Sequence, residues 1–187
     1  MRVTHPRPTT AALAAAAALS ALTAACSSGG TAAPQVTASS TRPSPAAASV
    51  SPTPPTPAQQ ALAAYTAMWS DVQALSETSD YTDPRLGAHL DGQAYMTVSE
   101  NMSVDKAHGV IALGEPVVHP HVLTASATTA TLADCLDDTH WLEYYASTRQ
   151  LTNDVPGGHR YIAATVTDEN GTWKVTTLNV RGEGTCT

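Results

Sequence analysis

Residues 161–179, YIAATVTDENGTWKVTTLN, carry the clearest structural signal in the chain. Two runs rich in threonine and valine flank Asn170 and Gly171, and Asn-Gly is the preferred pair for a two-residue type I′ turn between antiparallel strands. The register that this turn sets places Val166 opposite Val175. We therefore expect a β-hairpin in the last third of the chain.

Further strands are expected upstream of this hairpin. Residues 117–126 and 129–136 are rich in β-branched side chains, and the small residues between them suit a hairpin turn. Another short strand is predicted at residues 141–145. Together these segments predict an antiparallel meander.

The segment that precedes the strands has helical periodicity. A short helix is expected after Asp83 and Pro84, which suit its N-cap and first position. A longer helix is expected at about residues 93–106 and should stop at Gly109. The first helix, residues 59–77, carries one apolar stripe formed by Leu62, Tyr65, Met68, Trp69, Val72 and Leu75. Helices followed by an antiparallel sheet define an α+β fold.

The N-terminal residues have the plan of an export signal peptide. Arg2 and Arg7 precede an alanine-rich apolar run at residues 11–24, which is shorter than the roughly 20 residues that a membrane-spanning helix needs. Residues 22–26, LTAAC, resemble the lipobox of bacterial lipoproteins, although Thr23 stands where that motif usually has leucine. In such proteins the cysteine carries acyl chains such as palmitate and becomes the mature N-terminus. The alternative is an ordinary signal peptide that leaves Cys26 as a free thiol.

Composition divides the chain into three parts. Residues 1–25 are the predicted signal peptide, and residues 26–57 are a Ser/Thr/Pro/Ala-rich segment without a periodic apolar face. Such a segment cannot offset the entropy of ordering, so we expect a disordered tether. Residues 58–187 are the predicted α+β domain, whose length suits one hydrophobic core. Two acyl chains on Cys26 would hold this domain at the outer face of the bacterial cytoplasmic membrane.

Net charge and the number of cysteines narrow the class of protein further. The whole chain has a net charge of −7, and removal of residues 1–25 leaves 7 basic and 16 acidic residues, a net charge of −9. An acidic chain has no basic face for nucleic-acid phosphates, so a nucleic-acid partner is excluded. Of three cysteines, Cys135 and Cys186 remain as an even pair if Cys26 is lipidated. A disulfide between them would contribute roughly 4 kcal/mol in the chain-entropy model.

Four motifs carry a resemblance to a known family. They are DCLDD at residues 134–138, NDVPGGH at 153–159, NGTWKV at 170–175 and GTC at 184–186. With helices placed before the strands, the chain resembles small alanine-rich lipoproteins of actinobacteria that carry a nuclear-transport-factor-2-like domain. The resemblance implies a cone-shaped fold, in which helices pack on a curved antiparallel sheet that encloses a pocket. That lipoprotein group has no established activity, so the resemblance implies fold and location alone.

His119 and His121 are the strongest candidates for a metal site. Residues two apart on a strand face the same way. Pro120 between them indicates an edge or a bulge, and no third ligand can be identified. We therefore expect solvated or hydrogen-bonded histidines and no metal. The acidic residues Asp134, Asp137 and Asp138 are likewise expected to be solvated caps and turn formers.

Two functions from different classes follow. The favoured one is a non-catalytic binding or accessory domain that recognises a cell-envelope protein, a wall component or a small hydrophobic ligand. The alternative is a dehydratase- or isomerase-type enzyme that uses the cone pocket. His119, His121, Trp141 and Tyr144 are the candidate pocket residues, with core packing as the other explanation of the two aromatic ones. No nucleophile, base and orienting residue can be named together, so no catalytic residue and no cofactor are predicted.

Overall fold

The computed structural model of the chain describes residues 53–186. Within this range three helices come first, and six strands follow them. The helices are α1 (Pro57–Ser76), α2 (Leu86–His89) and α3 (Gly92–His108). The strands are β1 (Val110–Gly114), β2 (His121–Ala125), β3 (Thr129–Asp137), β4 (Trp141–Tyr145), β5 (His159–Glu169) and β6 (Thr172–Glu183).

Local sequence explains both ends of the first helix. Thr56 caps α1, because its hydroxyl accepts from the backbone N–H of Gln59 while the Gln59 side chain bonds back to the backbone N–H of Thr56. Pro57 occupies the first helical position, where a missing N–H costs nothing. The predicted stripe is the face that α1 buries, with Leu62 at its partly buried margin. This prediction is therefore confirmed.

The strands form two antiparallel sheets. A four-stranded sheet has the order β2-β3-β5-β6, and β1 pairs with β4 in a two-stranded sheet. Val166 faces Val175 across the β5–β6 hairpin, as predicted. Asn170 and Gly171 have φ values of 56° and 89°, which match a type I′ turn. Register shifts in β2–β3 and β5–β6 add the twist and bend that curve the sheet.

One face of the four-stranded sheet packs against the helices. The core joins apolar residues of α1 and α3 to alternate residues of the strands, which include Leu132, Ile162, Val166 and Val175. Helices packed on a curved antiparallel sheet are the predicted α+β class, and the fold class is confirmed.

Three elements differ from the sequence expectation. Strand β1 was not predicted. Strand β2 begins at His121 instead of residue 117, because Pro120 has no backbone N–H to donate and Val117 forms only an isolated bridge with Asp137. Helix α2 begins at Leu86, since the Asp83 carboxylate accepts from the backbone N–H of Arg85 and holds a turn ahead of the helix.

Cys135 and Cys186 form the predicted disulfide. Their Cα atoms lie 5.8 Å apart, and the bond ties the C-terminal segment to β3 in the middle of the sheet. None of the described helices is long and apolar enough to cross a membrane. The predicted signal peptide, Cys26 and most of the predicted tether lie outside the described residues.

Candidate functional site

A cavity of about 740 Å³ lies between the helices and the sheets. Helix α1 contributes Trp69 and Val72 to its wall, and α3 contributes Val98, Met102 and Asp105. Strands β3, β4 and β6 complete the wall with Leu136, Trp141, Glu143 and Leu178, among others. Its volume is typical of small-molecule sites, and its wall mixes ten apolar residues with eight polar or charged ones.

Two tryptophans form an aromatic corner of the cavity. The rings of Trp69 and Trp141 meet edge to face, with centroids 6.0 Å apart and planes at 88°. The Nε1 of Trp141 donates to the Ser76 hydroxyl at 3.3 Å, and that hydroxyl donates to the carbonyl of Gln73 at 2.7 Å. This chain of bonds fixes the orientation of Trp141. The buried Nε1 of Trp69, in contrast, has no acceptor among the described residues.

A paired arginine occupies another side of the cavity. The Nε of Arg160 lies 2.6 Å from a carboxylate oxygen of Asp138, and the second oxygen of Asp138 accepts from the backbone N–H of Gly158. Both charged side chains are largely covered, with 31% and 14% of their surfaces exposed. The positive charge of Arg160 is therefore neutralised by its ion pair with Asp138.

Asp105 of α3 and Glu143 of β4 both line the cavity, Asp105 being half-buried and Glu143 exposed. Burial raises the pKa of the Asp105 carboxyl above its ordinary value, and the negative charge of Glu143 raises it further. His108 partly offsets these effects. Within the described residues neither carboxylate has a salt bridge to a basic group. The cavity wall therefore carries two carboxylates that have no ion-pair partner among the described residues.

Asp134 corrects a sequence expectation. It was expected to be a solvated cap, but it is 2% exposed and lies in the core. One carboxylate oxygen accepts from the Tyr65 hydroxyl at 2.8 Å, and the other accepts from the backbone N–H of His119 at 2.6 Å. Burial, followed by the charge of Asp134, raises the pKa of the Tyr65 phenol. Neither residue lines the cavity, so the pair is sealed from it.

Of the other two acidic residues, Asp137 fits the expectation, whereas Asp138, whose side chain is 14% exposed, does not. Asp137 accepts from the backbone N–H of Thr139 and forms a turn, and Thr139 holds the pKa of Asp137 below its ordinary value. Asp138 lines the cavity and forms an ion pair with Arg160.

The structure separates the four predicted pocket residues. Trp141 lines the cavity, whereas His119 and His121 are exposed at the start of β2 and do not line it. Tyr144 pairs with Ile111 between β4 and β1 and is also absent from the cavity wall. Among the described residues, no group of three His, Cys, Asp or Glu side chains is placed to hold a metal ion.

Sequence reasoning missed Asp105, although a signal for it was present. Val98, Met102 and Asp105 occupy positions i, i+4 and i+7 of α3, so they share one helix face. An acidic residue on an otherwise apolar face is a candidate functional group. Arg160 and Glu143 carry no comparable signal, because alternation in β4 and β5 does not show which strand face meets a cavity.

These features define an α+β domain in which helices and a curved antiparallel sheet enclose a ligand-sized cavity. No family model matches the chain, and no curated protein matches it. Among solved structures, the chain is similar to the intermembrane-space region of the chloroplast protein ARC6, with a TM-score of 0.52 and 16% identity over 70% of this chain and 100% of that one.

Two further solved structures are similar over part of this chain. A putative scytalone dehydratase from Novosphingobium aromaticivorans has a TM-score of 0.39 and 16% identity, over 64% of this chain and 82% of that one. A chain named Rd1NTF2 has a TM-score of 0.41 and 6% identity, over 63% of this chain and 96% of that one. At 16% identity the likeness to the ARC6 region is one of fold alone.

Proposed function

We propose that this protein is a non-catalytic binding module of the bacterial cell envelope. Its cavity takes a small, largely apolar ligand, and a lipid anchor at Cys26 holds the module at the outer face of the cytoplasmic membrane. The observation that carries the binding function is the cavity of about 740 Å³ beneath α1 and α3. Its volume lies within the range of about 300–1,000 Å³ in which proteins bind small molecules.

The distribution of chemistry favours binding over catalysis. Among residues 53–186, Tyr65 and Asp134 form the buried hydroxyl–carboxylate pair that acid–base catalysis would use, and both are in the sealed core. A general base must reach within hydrogen-bond distance of the proton that it removes. In the described part of the chain no histidine lines the cavity.

The lipid anchor is supported by the sequence. The motif LTAAC ends in Cys26 after an export-type apolar run, and a proline-rich segment separates it from the domain. The disulfide between Cys135 and Cys186 accounts for the other two of the three cysteines. A disulfide fits an oxidising compartment outside the cytoplasm. The resemblance of its motifs to those of actinobacterial lipoproteins supports an actinobacterial origin as part of the same proposal.

A cavity-filling substitution tests the binding function. Ala112 lines the cavity from β1, and Ala112→Phe should occupy part of its volume. We expect native mass spectrometry of the gently purified full chain to detect a co-purifying small molecule that Ala112→Phe loses. Ala107→Phe is the matched control, because Ala107 is exposed on α3 outside the cavity. Retention of the molecule by a folded Ala112→Phe protein would contradict the proposal.

One observation favours a second candidate, an acid–base enzyme. Asp105 faces the cavity, and its pKa is raised by burial and by Glu143, as is common for catalytic carboxylates. On this reading a bound dehydratase- or isomerase-type substrate would be converted by the wild type and recovered unchanged from Asp105→Asn. Mass spectrometry of the recovered ligand decides the point, because an unchanged ligand in both proteins excludes catalysis at Asp105.

A further inference from the structure

A second, smaller chamber adjoins the cavity. Its volume is about 300 Å³, and four residues line both spaces, namely Asp138, Trp141, Glu143 and Arg160. Glu143 is exposed, so the junction between the two spaces is open to solvent at that side chain. A ligand in the main cavity can therefore extend into the second chamber.

The loop between β4 and β5 builds the outer wall of the second chamber. Leu151 and Val155 of this loop are 45% and 64% exposed, although both side chains are apolar. Covering exposed apolar surface favours binding, so a ligand that reaches this loop gains contacts that the main cavity does not offer. The other residues that line the second chamber alone are Leu142, Asn153 and Gly157.

Hydrogen bonds hold both ends of this loop in place. The backbone N–H of Thr152 donates to the carbonyl of Glu143 at 3.0 Å. At the other end, the backbone N–H of Asp138 donates to the carbonyl of Gly158 at 2.9 Å, and the Gly158 N–H donates to the Asp138 carboxylate at 2.6 Å. The loop is therefore positioned by the strand and turn before it, and the second chamber is a defined part of the fold.

Charged groups are concentrated where the two spaces meet. Of the four ionisable side chains in the two walls, three line both spaces, and Asp105 lines the main cavity alone. On one side of this junction the main cavity presents the aromatic corner of Trp69 and Trp141. On the other side the second chamber presents the apolar side chains of the loop. The polar part of a ligand is therefore expected at the junction, with an apolar part on either side.

Arg160 supplies hydrogen-bond donors at the junction. Its Nε is bonded to Asp138 at 2.6 Å, and this ion pair neutralises its charge. The Nη nitrogens carry the remaining N–H donors of the guanidinium, and they form no hydrogen bond with any of the described residues. Donors whose charge is already paired suit a neutral acceptor, such as a carbonyl oxygen, better than an anion.

We propose that the ligand is an elongated, neutral molecule that occupies both chambers, with an apolar group at each end and a carbonyl group between them. The inference rests on the proposed binding function and names its ligand class. The larger apolar group lies in the main cavity beside the aromatic corner, and the carbonyl oxygen accepts from the Nη groups of Arg160. The other apolar group lies in the second chamber against Leu151 and Val155.

Three uncharged probes test this inference. They are N-benzylhexanamide, its shortened analogue N-benzylacetamide, and benzyl hexyl ether, which keeps the length of the first probe but has no carbonyl group. Binding to the full chain carrying Cys26→Ala is measured by calorimetry, because an unlipidated chain needs no lipid into which the probes could partition. Each methylene group that is buried strengthens binding by about fourfold. We expect N-benzylhexanamide to bind at least about tenfold more tightly than N-benzylacetamide, and about tenfold more tightly than the ether.

Paired variants locate the second apolar contact. Leu151→Ser with Val155→Ser should weaken binding of N-benzylhexanamide at least about fivefold and leave N-benzylacetamide within about twofold, because the short probe does not reach the loop. Val117→Ser with Leu123→Ser is the matched control, since these side chains are 45% and 56% exposed and lie outside both chambers. Thermal melting confirms that each variant is folded.

Each outcome decides one proposal. Equal binding of the long and short amides overturns the ligand class but leaves the binding function standing, and so does an equal loss of affinity in the control pair. Equal binding of the amide and the ether overturns the carbonyl contact with Arg160. Failure of all three probes to bind at millimolar concentration overturns the inference, whereas the Ala112→Phe experiment separately decides the binding function.

Discussion

Asp134 illustrates how a buried carboxylate is accommodated when no basic partner lies beside it in the described part of the chain. Its two oxygens accept from the Tyr65 hydroxyl and from the backbone N–H of His119, which joins α1 to the segment before β2. Hydrogen bonds to a carboxylate are worth more than neutral ones, and leaving such a group unsatisfied costs its desolvation. Through these two hydrogen bonds Asp134 links α1 to the segment before β2 inside the core.

Removal of the Tyr65 hydroxyl should expose this cost. Tyr65→Phe leaves one oxygen of Asp134 without its donor, and we expect a loss of about 1–3 kcal/mol in the free energy of unfolding. Urea denaturation of the full chain measures the change. Tyr145→Phe is the control, since Tyr145 is 45% exposed and should change stability little. A Tyr65→Phe protein as stable as the wild type would show that the bond contributes nothing net.

Asp105 should give stability a defined pH dependence. Because its pKa is raised, the folded state holds this proton more tightly than the unfolded chain does. The contribution of Asp105 to stability is therefore complete below about pH 4, the usual aspartate pKa, and is lost as the pH rises through the raised value. Asp105→Asn cannot ionise, so its stability relative to the wild type should increase over that interval.

Urea denaturation at a series of pH values tests the direction of this change in stability. Glu115→Gln is the comparison, because Glu115 is exposed outside the cavity and its removal should give no such trend. A difference between Asp105→Asn and the wild type that stays constant with pH, or that decreases as pH rises, would contradict the assignment.

At the scale of elements, the helices and strands that could be predicted are those with a local sequence signal. The β5–β6 hairpin is specified by Asn170 and Gly171 together with adjacent β-branched residues, and the α1 stripe is specified by its period. Strand β1, VIALG, has no such signal. It is short, it follows α3 directly, and its partner β4 begins at Trp141, so its pairing depends on a distant segment.

The pairing of β1 with β4 requires a glycine at position 114. Its φ of +100° lies in the region that favours glycine, and a Cβ there would collide with the backbone carbonyl oxygen of His140. Gly114→Ala should therefore push β1 away from β4. We expect a loss of at least about 2 kcal/mol in the free energy of unfolding. The fluorescence of Trp141, which pairs with Gly114, should change as well.

Gly109 provides the matched comparison. It also has a positive φ, +66°, as the C-cap of α3, but a Cβ there would meet nothing within 4 Å. Gly109→Ala should cost only the left-handed backbone strain, about 1–2 kcal/mol, and should leave the Trp141 fluorescence unchanged. If both variants behaved alike, the close approach of His140 to Gly114 would have no energetic consequence.

At the scale of the whole molecule, the cavity could not be predicted from the sequence. Its wall runs from Trp69 in α1 to Val180 in β6, so it exists only after the helices have packed on the sheet. Trp141 could be proposed as a pocket residue because the family resemblance implies a cone pocket that aromatic side chains could line, but the same argument also selected Tyr144. Choosing between them requires the β1–β4 register, which places Tyr144 opposite Ile111.

The proposed membrane location of the molecule depends on the thiol of Cys26. If Cys26 is diacylated, the two chains together bind a membrane firmly, since burial contributes about 0.8 kcal/mol for each CH₂ group and a single chain is marginal. Cys26→Ala should then transfer the protein from the membrane fraction to the soluble fraction and abolish its labelling by radioactive palmitate. The double variant Cys135→Ala with Cys186→Ala is the control, because it removes the disulfide and should remain labelled and membrane-bound. Membrane retention of Cys26→Ala would refute lipid anchoring, and the cavity would then have to be carried at the cell envelope by some other attachment.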